Sequence, residues 1–334
     1  MGRGSEPALR TDPPHRPGDP QRTERHPALT ISSSGSYVLT SDLTGVPGLH
    51  GIVIEADDVT IDLNGFSLIG VPGSVNGIAA AAATADRVTI RNGTIRDWGG
   101  KGIEATGNFS EDWLVEDVKS IYNMGDGISL DHGAVVRNCT VSNNGGDGIS
   151  VSGANGAIVE NCTANNNNNN NGGDGISARG VVRGCTTFAN GFHGISVNRG
   201  VVEACASSGN TRSAVVMTSG LIINCSTSEN DDSGRSGSAF TLKNSSSSYD
   251  DVGIRAGNNS RIEGNHVSNA TFSSISAGAP SNNVIMLNNT VTASGGPAYQ
   301  LFTGNPAGPI VNVVGVMDIT TIPNHDHPWA NFIH

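Results

Sequence analysis

From Val136 the chain reads V-R-N-C-T-V, an alternation of inward apolar and outward polar positions interrupted by one extra residue. Period-two alternation puts Val136 on one face and Arg137 on the other; Asn138 must then turn the backbone so that Cys139 and Val141 return to the face of Val136. The pattern recurs as VENCTA from Val159, VRGCTT from Val182, VEACAS from Val202 and INCS from Ile223. All five cysteines, Cys139, Cys162, Cys185, Cys205 and Cys225, fall in it, separated by 23, 23, 20 and 20 residues. Asn64, Gly93 and Val118 continue the frame upstream, and Ser245, Asn265 and Asn289 downstream, giving eleven units.

Two-helix repeats need about 33 residues or more, so a shorter unit rich in Val, Ile, Gly, Asn and Ser predicts strands. The turning position holds Asn92, Asp117, Asn138, Asn161, Gly184, Asn224, Asn244, Gly264 and Asn288, mostly residue types that accept a left-handed backbone. Leu63 and Ala204 depart from that rule. A strand, a left-handed bend, a second strand, a loop and a third strand opening on Gly-Ile make one coil of a parallel β-helix, an all-β solenoid of about eleven coils stacked ~4.8 Å apart. The expected organisation is a disordered N-terminal arm over 1–28, the β-helix over 29–304 and a C-terminal cap over 305–334. The stretch from Thr30, TISSSGSYVLTSDLTGVPGL, is expected to cap the first coil, and Trp329 and Phe332 to plug the last.

Stacking makes a column of the residue before each bend: Asp62, Arg91, Glu116, Arg137, Glu160, Arg183, Glu203, Ile223, Lys243, Glu263 and Leu287. Its sign alternates through the first seven, which sets opposite charges together and penalises a slipped register. A charged binding strip is the other reading, but an alternating row offers a ligand no net field. The cysteines have neither a disulfide framework's compact even spacing nor a zinc motif, and stacked Cβ atoms ~4.8 Å apart lie beyond bridging distance, so they read as buried thiols.

The totals fit a narrow core: 334 residues with 45 glycines, 4% aromatics and 15% charged residues. A formal net charge of -11 argues against nucleic acid as a partner. No apolar run is long enough to span a bilayer. The first 28 residues hold Arg and Pro without an apolar core, so they do not read as a secretory signal.

The stretches GIVIEADDVTIDLNGFSLIG from Gly51, VTIRNGTIRDWGGKGI from Val88, the serial NCT units and the closing HPWANF from His327 resemble a family of bacterial right-handed parallel β-helix repeat proteins. The resemblance covers roughly residues 29–334. It implies export or cell-surface location, and, since pectate lyases, polygalacturonases, alginate epimerases and phage tailspikes share the fold, polysaccharide as the partner class. It carries no catalytic residue: the NTD, GHG and RIK triplets of polygalacturonases and the RxPxxR of pectate lyases are absent.

One column bears on chemistry. The residue before each Gly-Ile start is His50, Asn76, Lys101, Asp126, Asp147, Asp174 and His193, with Arg212 in the coil that begins RSAV. Asp126, Asp147 and Asp174 on successive coils would lie about 5 Å apart and raise one another's pKa. Calcium bound by these three would relieve the repulsion. Proton sharing would instead set a general acid beside a general base, with His193 or Lys101 as a proton-transfer or charge-stabilising group. In the structural reading, which comes first, Asp before Gly is a turn residue capping backbone amides, lined up by duplication. Tyr122, Phe192 and Trp98 are the aromatics expected beside this row. The asparagine run Asn165 to Asn171 reads as a low-complexity insertion, the His325, Asp326, His327 triplet as a weak metal motif, and the Asn138 and Asn269 sequons as chance. The expected function is therefore a polysaccharide-binding or structural surface protein, with the alternative of a lyase, epimerase or hydrolase working at the aspartate row.

Overall fold

The computed structural model describes residues 29–81, 85–106, 110–153, 156–168, 172–277, 283–292, 294–301, 305–312, 323–324 and 326–333. His325 of the HDH triplet and part of the asparagine run lie outside them. The chain divides into two units, Met1–Asn167 and Asn168–His334, and each is a parallel β-solenoid.

In the first unit every turn contributes three strand segments, the second and third running on as one strand at Thr89–Arg96 and Leu114–Ile121, and each pairs in parallel with its equivalent one turn on. One inward ladder runs Leu29, Ile52, Ile78, Ile103, Ile128, Ile149. A second runs Tyr37, Ile61, Ile90, Val115, Val136, Val159, and a third Leu43, Leu68, Ile95, Ser120, Val141, Ala164. A strand of three residues cannot stand alone. What holds it is burial: Ile52, Ile61, Ile90 and Val136 are fully enclosed, each contributing about 1.5–3 kcal/mol. The segment from Thr30, expected to cap the first coil, is itself a turn: Leu29–Ile31, Gly35–Val38 and Leu43–Thr44 all pair in register with the next.

The second unit repeats the plan, with ladders Ile176, Ile195, Val215, Arg235, Ile254, Ile275, Tyr299 and Val182, Val202, Ile222, Leu242, Ile262, Met286. Its third ladder turns polar: Thr187, Ser207, Thr227, Ser247, then Val267 and Val291. Beside those hydroxyls runs a buried amide ladder. Each Oδ1 accepts both the backbone N–H and the Nδ2–H of the residue one turn earlier: Asn190 on Asn210, Asn210 on Asn230, Asn230 on Asp250. The first unit has the same device in Asn123, Asn144 and Asn167, and Asn265, Asn289 and Asn331 form another in the second.

The bends are left-handed as expected, φ being 55° at Asn138 and 53° at Asn161. Leu63 is explained by a longer corner, in which Asn64 (φ 51°) and Gly65 (φ 82°) make the turn while Leu63 itself is buried. Asn64 therefore belongs to the bend and not to the cysteine position. The Leu63 side chain fills the space above Gly93, where an added Cβ would fall 2.3 Å from the Leu63 Cβ.

Ala204 does sit left-handed, at φ 52°, a conformation costing an L-residue with a Cβ about 1–2 kcal/mol. Ala204→Asn, the type at most other bends, is expected to raise stability by about 1 kcal/mol. Denaturant titration checks it, and an unchanged midpoint would show that the bend carries no strain.

The alternating column has its predicted register, with ion pairs Arg91 to Asp62 at 3.0 Å, Arg137 to Glu116 at 2.6 Å and Lys243 to Glu263 at 3.0 Å. The five cysteines are buried and none is in a disulfide. Their thiols point at main-chain carbonyls, Cys162 at Glu160 (3.3 Å) and Cys205 at Glu203 (3.2 Å). A hydrogen bond with the Cys185 thiol, together with burial, pushes Cys205 up to about 12.

Candidate functional site

Most of the residues before a Gly-Ile start share one structural task. Their side-chain acceptors take the backbone N–H of the equivalent residue one turn on: His50 Nδ1 from Asn76 (3.4 Å), Asn76 Oδ1 from Lys101 (2.8 Å) and Asp126 Oδ1 from Asp147 (2.9 Å) in the first unit. In the second, Asp174 Oδ1 accepts from His193 (3.0 Å) and His193 Nδ1 from Ser213 (3.2 Å). Ser213, not Arg212, therefore occupies the column after His193. The strand that follows begins one residue later than the RSAV alignment implies, with Val215 opposite Ile195.

Lys101 has no acceptor to offer, and there the column becomes chemically distinct. Its Nζ lies 3.3 Å from Asp126 Oδ2, 3.4 Å from Glu104 Oε1 and 2.9 Å from Ser129 Oγ. Glu104 also accepts from Asn76 Nδ2. Glu104 and Ser129 lie opposite one another on adjacent strands, Ile103–Ala105 and Ile128–Leu130, so one ammonium is held between two partly exposed carboxylates and a buried hydroxyl. Both Asp126 oxygens are thus engaged, one by an amide and one by Lys101. Among the described residues no three or more His, Cys, Asp or Glu side chains are grouped to hold a metal ion.

The second unit carries its own cluster. The Phe192 ring meets the edge of the His193 ring at 4.2 Å, and the Arg212 guanidinium lies 5.5 Å over Phe192. Asp232 pairs with Arg255 at 3.1 Å, and partial burial followed by the charges of Asp231 and Asp232 holds the Asp251 carboxyl above its ordinary value. The paired dipeptides Asp231-Asp232 and Asp250-Asp251, one turn apart, were the available sequence signal for this cluster. Of the aromatics expected beside the row, Tyr122 is exposed, whereas Trp98 is buried with its Nε1 on the Leu68 carbonyl at 3.3 Å. Trp98 is core and offers no face to a ligand.

Burial pushes the His193 imidazole below its ordinary 6.5. In the unfolded chain it protonates near that value, so acid favours unfolding: this contribution is present above pH 6.5 and is lost as pH falls through the folded-state pKa. His193→Asn, which keeps an acceptor for the Ser213 amide, is expected to flatten the stability curve between pH 6.5 and 5. Thermal melts across that range check it, and an unchanged acid slope would exclude His193 as its source.

A family model described as right handed beta helix region matches residues 102–247. Among solved structures, the A-module of the Azotobacter vinelandii mannuronan C-5 epimerase AlgE4 is similar at 15% identity and a TM-score of 0.63, covering 82% of this chain and 91% of that one. The A-module of the epimerase AlgE6 from the same organism is similar at 14% identity and 0.61, covering 81% and 89%. Such identities show a shared fold alone. No curated protein sequence matches the chain.

Proposed function

We propose that this right-handed parallel β-helix is a polysaccharide-binding protein of the cell exterior whose contact surface in the first unit is formed by Lys101, Glu104 and Asp126, with Ser129 buried beneath the ammonium. The observation that carries the reading is the division of labour in the column. Most of its members spend their acceptors on the next turn's amides, whereas Lys101 gathers the carboxylates of Glu104 and Asp126 on a partly exposed face, an array of donors and acceptors suited to sugar hydroxyls. The fold shared with the mannuronan epimerase modules supports carbohydrate as the ligand class without supplying a reaction.

A catalytic reading has one observation in its favour. In the second unit the Asp251 carboxyl is held above its ordinary value and the His193 imidazole below its own, shifts that favour a neutral carboxyl and a neutral imidazole, the forms in which a general acid and a general base act. Retention on a panel of insoluble polysaccharides, with and without calcium, together with assay for new reducing or unsaturated ends, separates the two. The expected result is retention of the parent, at least tenfold weaker retention of Lys101→Ala, and no new ends. Product formation lost in Asp251→Asn would establish the enzyme instead, and no retention on any polysaccharide would remove the binding proposal.

A further inference from the structure

Near the C-terminus of the second unit the outward face changes character. Strands Arg261–Glu263 and Ile285–Leu287 pair in parallel with Ile262 and Met286 buried. The outward positions that carry Arg261 and Glu263 on one turn carry Ile285 and Leu287 on the next. The chain then adds a further rung beside it: Ala307 bridges Met286 in parallel, the Gly308 N–H donates to the Met286 carbonyl (2.9 Å), and strand Ile310–Asn312 pairs with Asn331–Ile333. Gly308 is needed for that approach, since an added Cβ would fall 1.7 Å from the Trp329 carbonyl oxygen. Trp329, expected as a plug, is 57% exposed, and it is Ala330 and Asn331 that go inside. The result is a groove of about 540 Å³ lined by Arg261, Ile285, Leu287, Pro309, His327 and Trp329, within the size range of small-molecule sites.

Three features specify what would fill it. An open indole beside an aliphatic floor suits a ring with an apolar C–H face and polar edges, which describes a pyranose. His327 stands edge-on to Trp329 with centroids 5.9 Å apart, and its Nδ1 accepts the Trp329 amide at 3.2 Å, which fixes the imidazole and leaves Nε2 for a ligand. Arg261 gives Nε to Glu263 at 2.8 Å, and Lys243 shares the same carboxylate at 3.0 Å. Two cations on one carboxylate leave surplus positive charge, and the Arg261 Nη atoms make no hydrogen bond among the described residues. A guanidinium edge so placed matches a carboxylate.

We infer that this groove binds a uronic acid residue, with the sugar ring on Trp329, its carboxylate on Arg261 and a hydroxyl toward His327. The ligand class rests on the carbohydrate reading above, but none of the residues proposed there takes part. Trp98 and Trp113 are buried, so acrylamide-sensitive tryptophan emission reports Trp329. Titrating the full chain with trigalacturonate and with maltotriose is expected to show acrylamide protection by the acidic sugar at a Kd at least tenfold lower than by the neutral one. Arg261→Gln should erase that difference. By calorimetry, Trp329→Ala should weaken trigalacturonate at least tenfold, with unchanged far-ultraviolet dichroism showing that the fold persists. The assignment is overturned if acrylamide fails to quench Trp329 in the free protein, if the two sugars bind alike, or if Arg261→Gln has no effect. Polysaccharide retention keeps the two readings apart. Retention that depends on Lys101, with no trigalacturonate binding at all, sinks the groove alone, whereas no binding of any saccharide sinks both.

Discussion

Asn210→Ala is expected to lower the stability of the second unit by about 3–5 kcal/mol, because it orphans two buried donors at roughly 1–3 kcal/mol each and leaves a void besides. Asn210 Oδ1 accepts the Asn190 main-chain and side-chain N–H groups, both at 3.0 Å, and its own Nδ2 serves Asn230 Oδ1 at 2.9 Å and Ser207 Oγ at 3.1 Å. No water reaches these atoms to substitute, since Asn190 and Asn210 are fully enclosed. Asn210→Leu, which fills the space without serving the donors, should be no better than Ala. Denaturant melts give the loss, and hydrogen exchange should show the Asn190 amide losing protection. If Leu restores stability, the ladder matters for its volume and the hydrogen-bond account fails.

The second large effect is expected where two rules are broken together. Arg235 stands in a ladder otherwise filled by Ile195, Val215, Ile254 and Ile275, fully buried, with one Nη2 contact to the Cys225 carbonyl at 2.7 Å and another to Ser246 at 2.5 Å. Burial holds its pKa down to about 10, so it remains a cation at neutral pH, and its Nε and Nη1 have no hydrogen-bond partner among the described residues. Asp250, equally buried, occupies an amide-ladder position held elsewhere by asparagine, and accepts from Asn230, Thr227 and Ser247. The two make no direct contact, but the Asp250 carboxylate favours the Arg235 cation through a medium of low dielectric. Arg235→Ile alone or Asp250→Asn alone is therefore expected to cost about 3 kcal/mol or more, the penalty of stranding one buried charge. The double variant, which restores the apolar ladder and the asparagine ladder at once, should come within about 1 kcal/mol of the parent or exceed it. A thermodynamic cycle of the four proteins measures the coupling. Strict additivity would mean that the two charges do not sense one another.

These residues also mark where reading the sequence stops. Val136, Cys139 and Val141 declare their face by alternation, and Asn138 declares the bend by tolerance of positive φ, so turns, register and charge column were legible. Asn144 and Asn210 were not, because an asparagine after a short strand looks like any loop residue. Only stacking reveals that the next turn's amide satisfies each one and lets it be buried. Arg235 lies in SGRSG, which reads locally as a loop. Trp329 reads as core by hydrophobicity, yet Gly308 passing beneath its carbonyl leaves the indole outside. The candidate column was visible, but its division between amide capping and the Lys101 cluster depends on which side-chain atoms are already engaged, and spacing does not carry that.

The one-residue corner has a consequence for how such a chain can change length. From Ala204 to Asn224, both left-handed, is one full circuit, so excising residues 204–223 would join Glu203 to Asn224 with every inward side chain still inward. Glu203 would then meet Lys243 on the following rung, a union of opposite signs. Losing a single strand residue instead would turn the rest of that strand inside out. Growth and loss in such a molecule are thus quantised, cheap by the whole lap and forbidden by the step, and the unequal 23 and 20 residue laps differ in the loops, where spare length is tolerated.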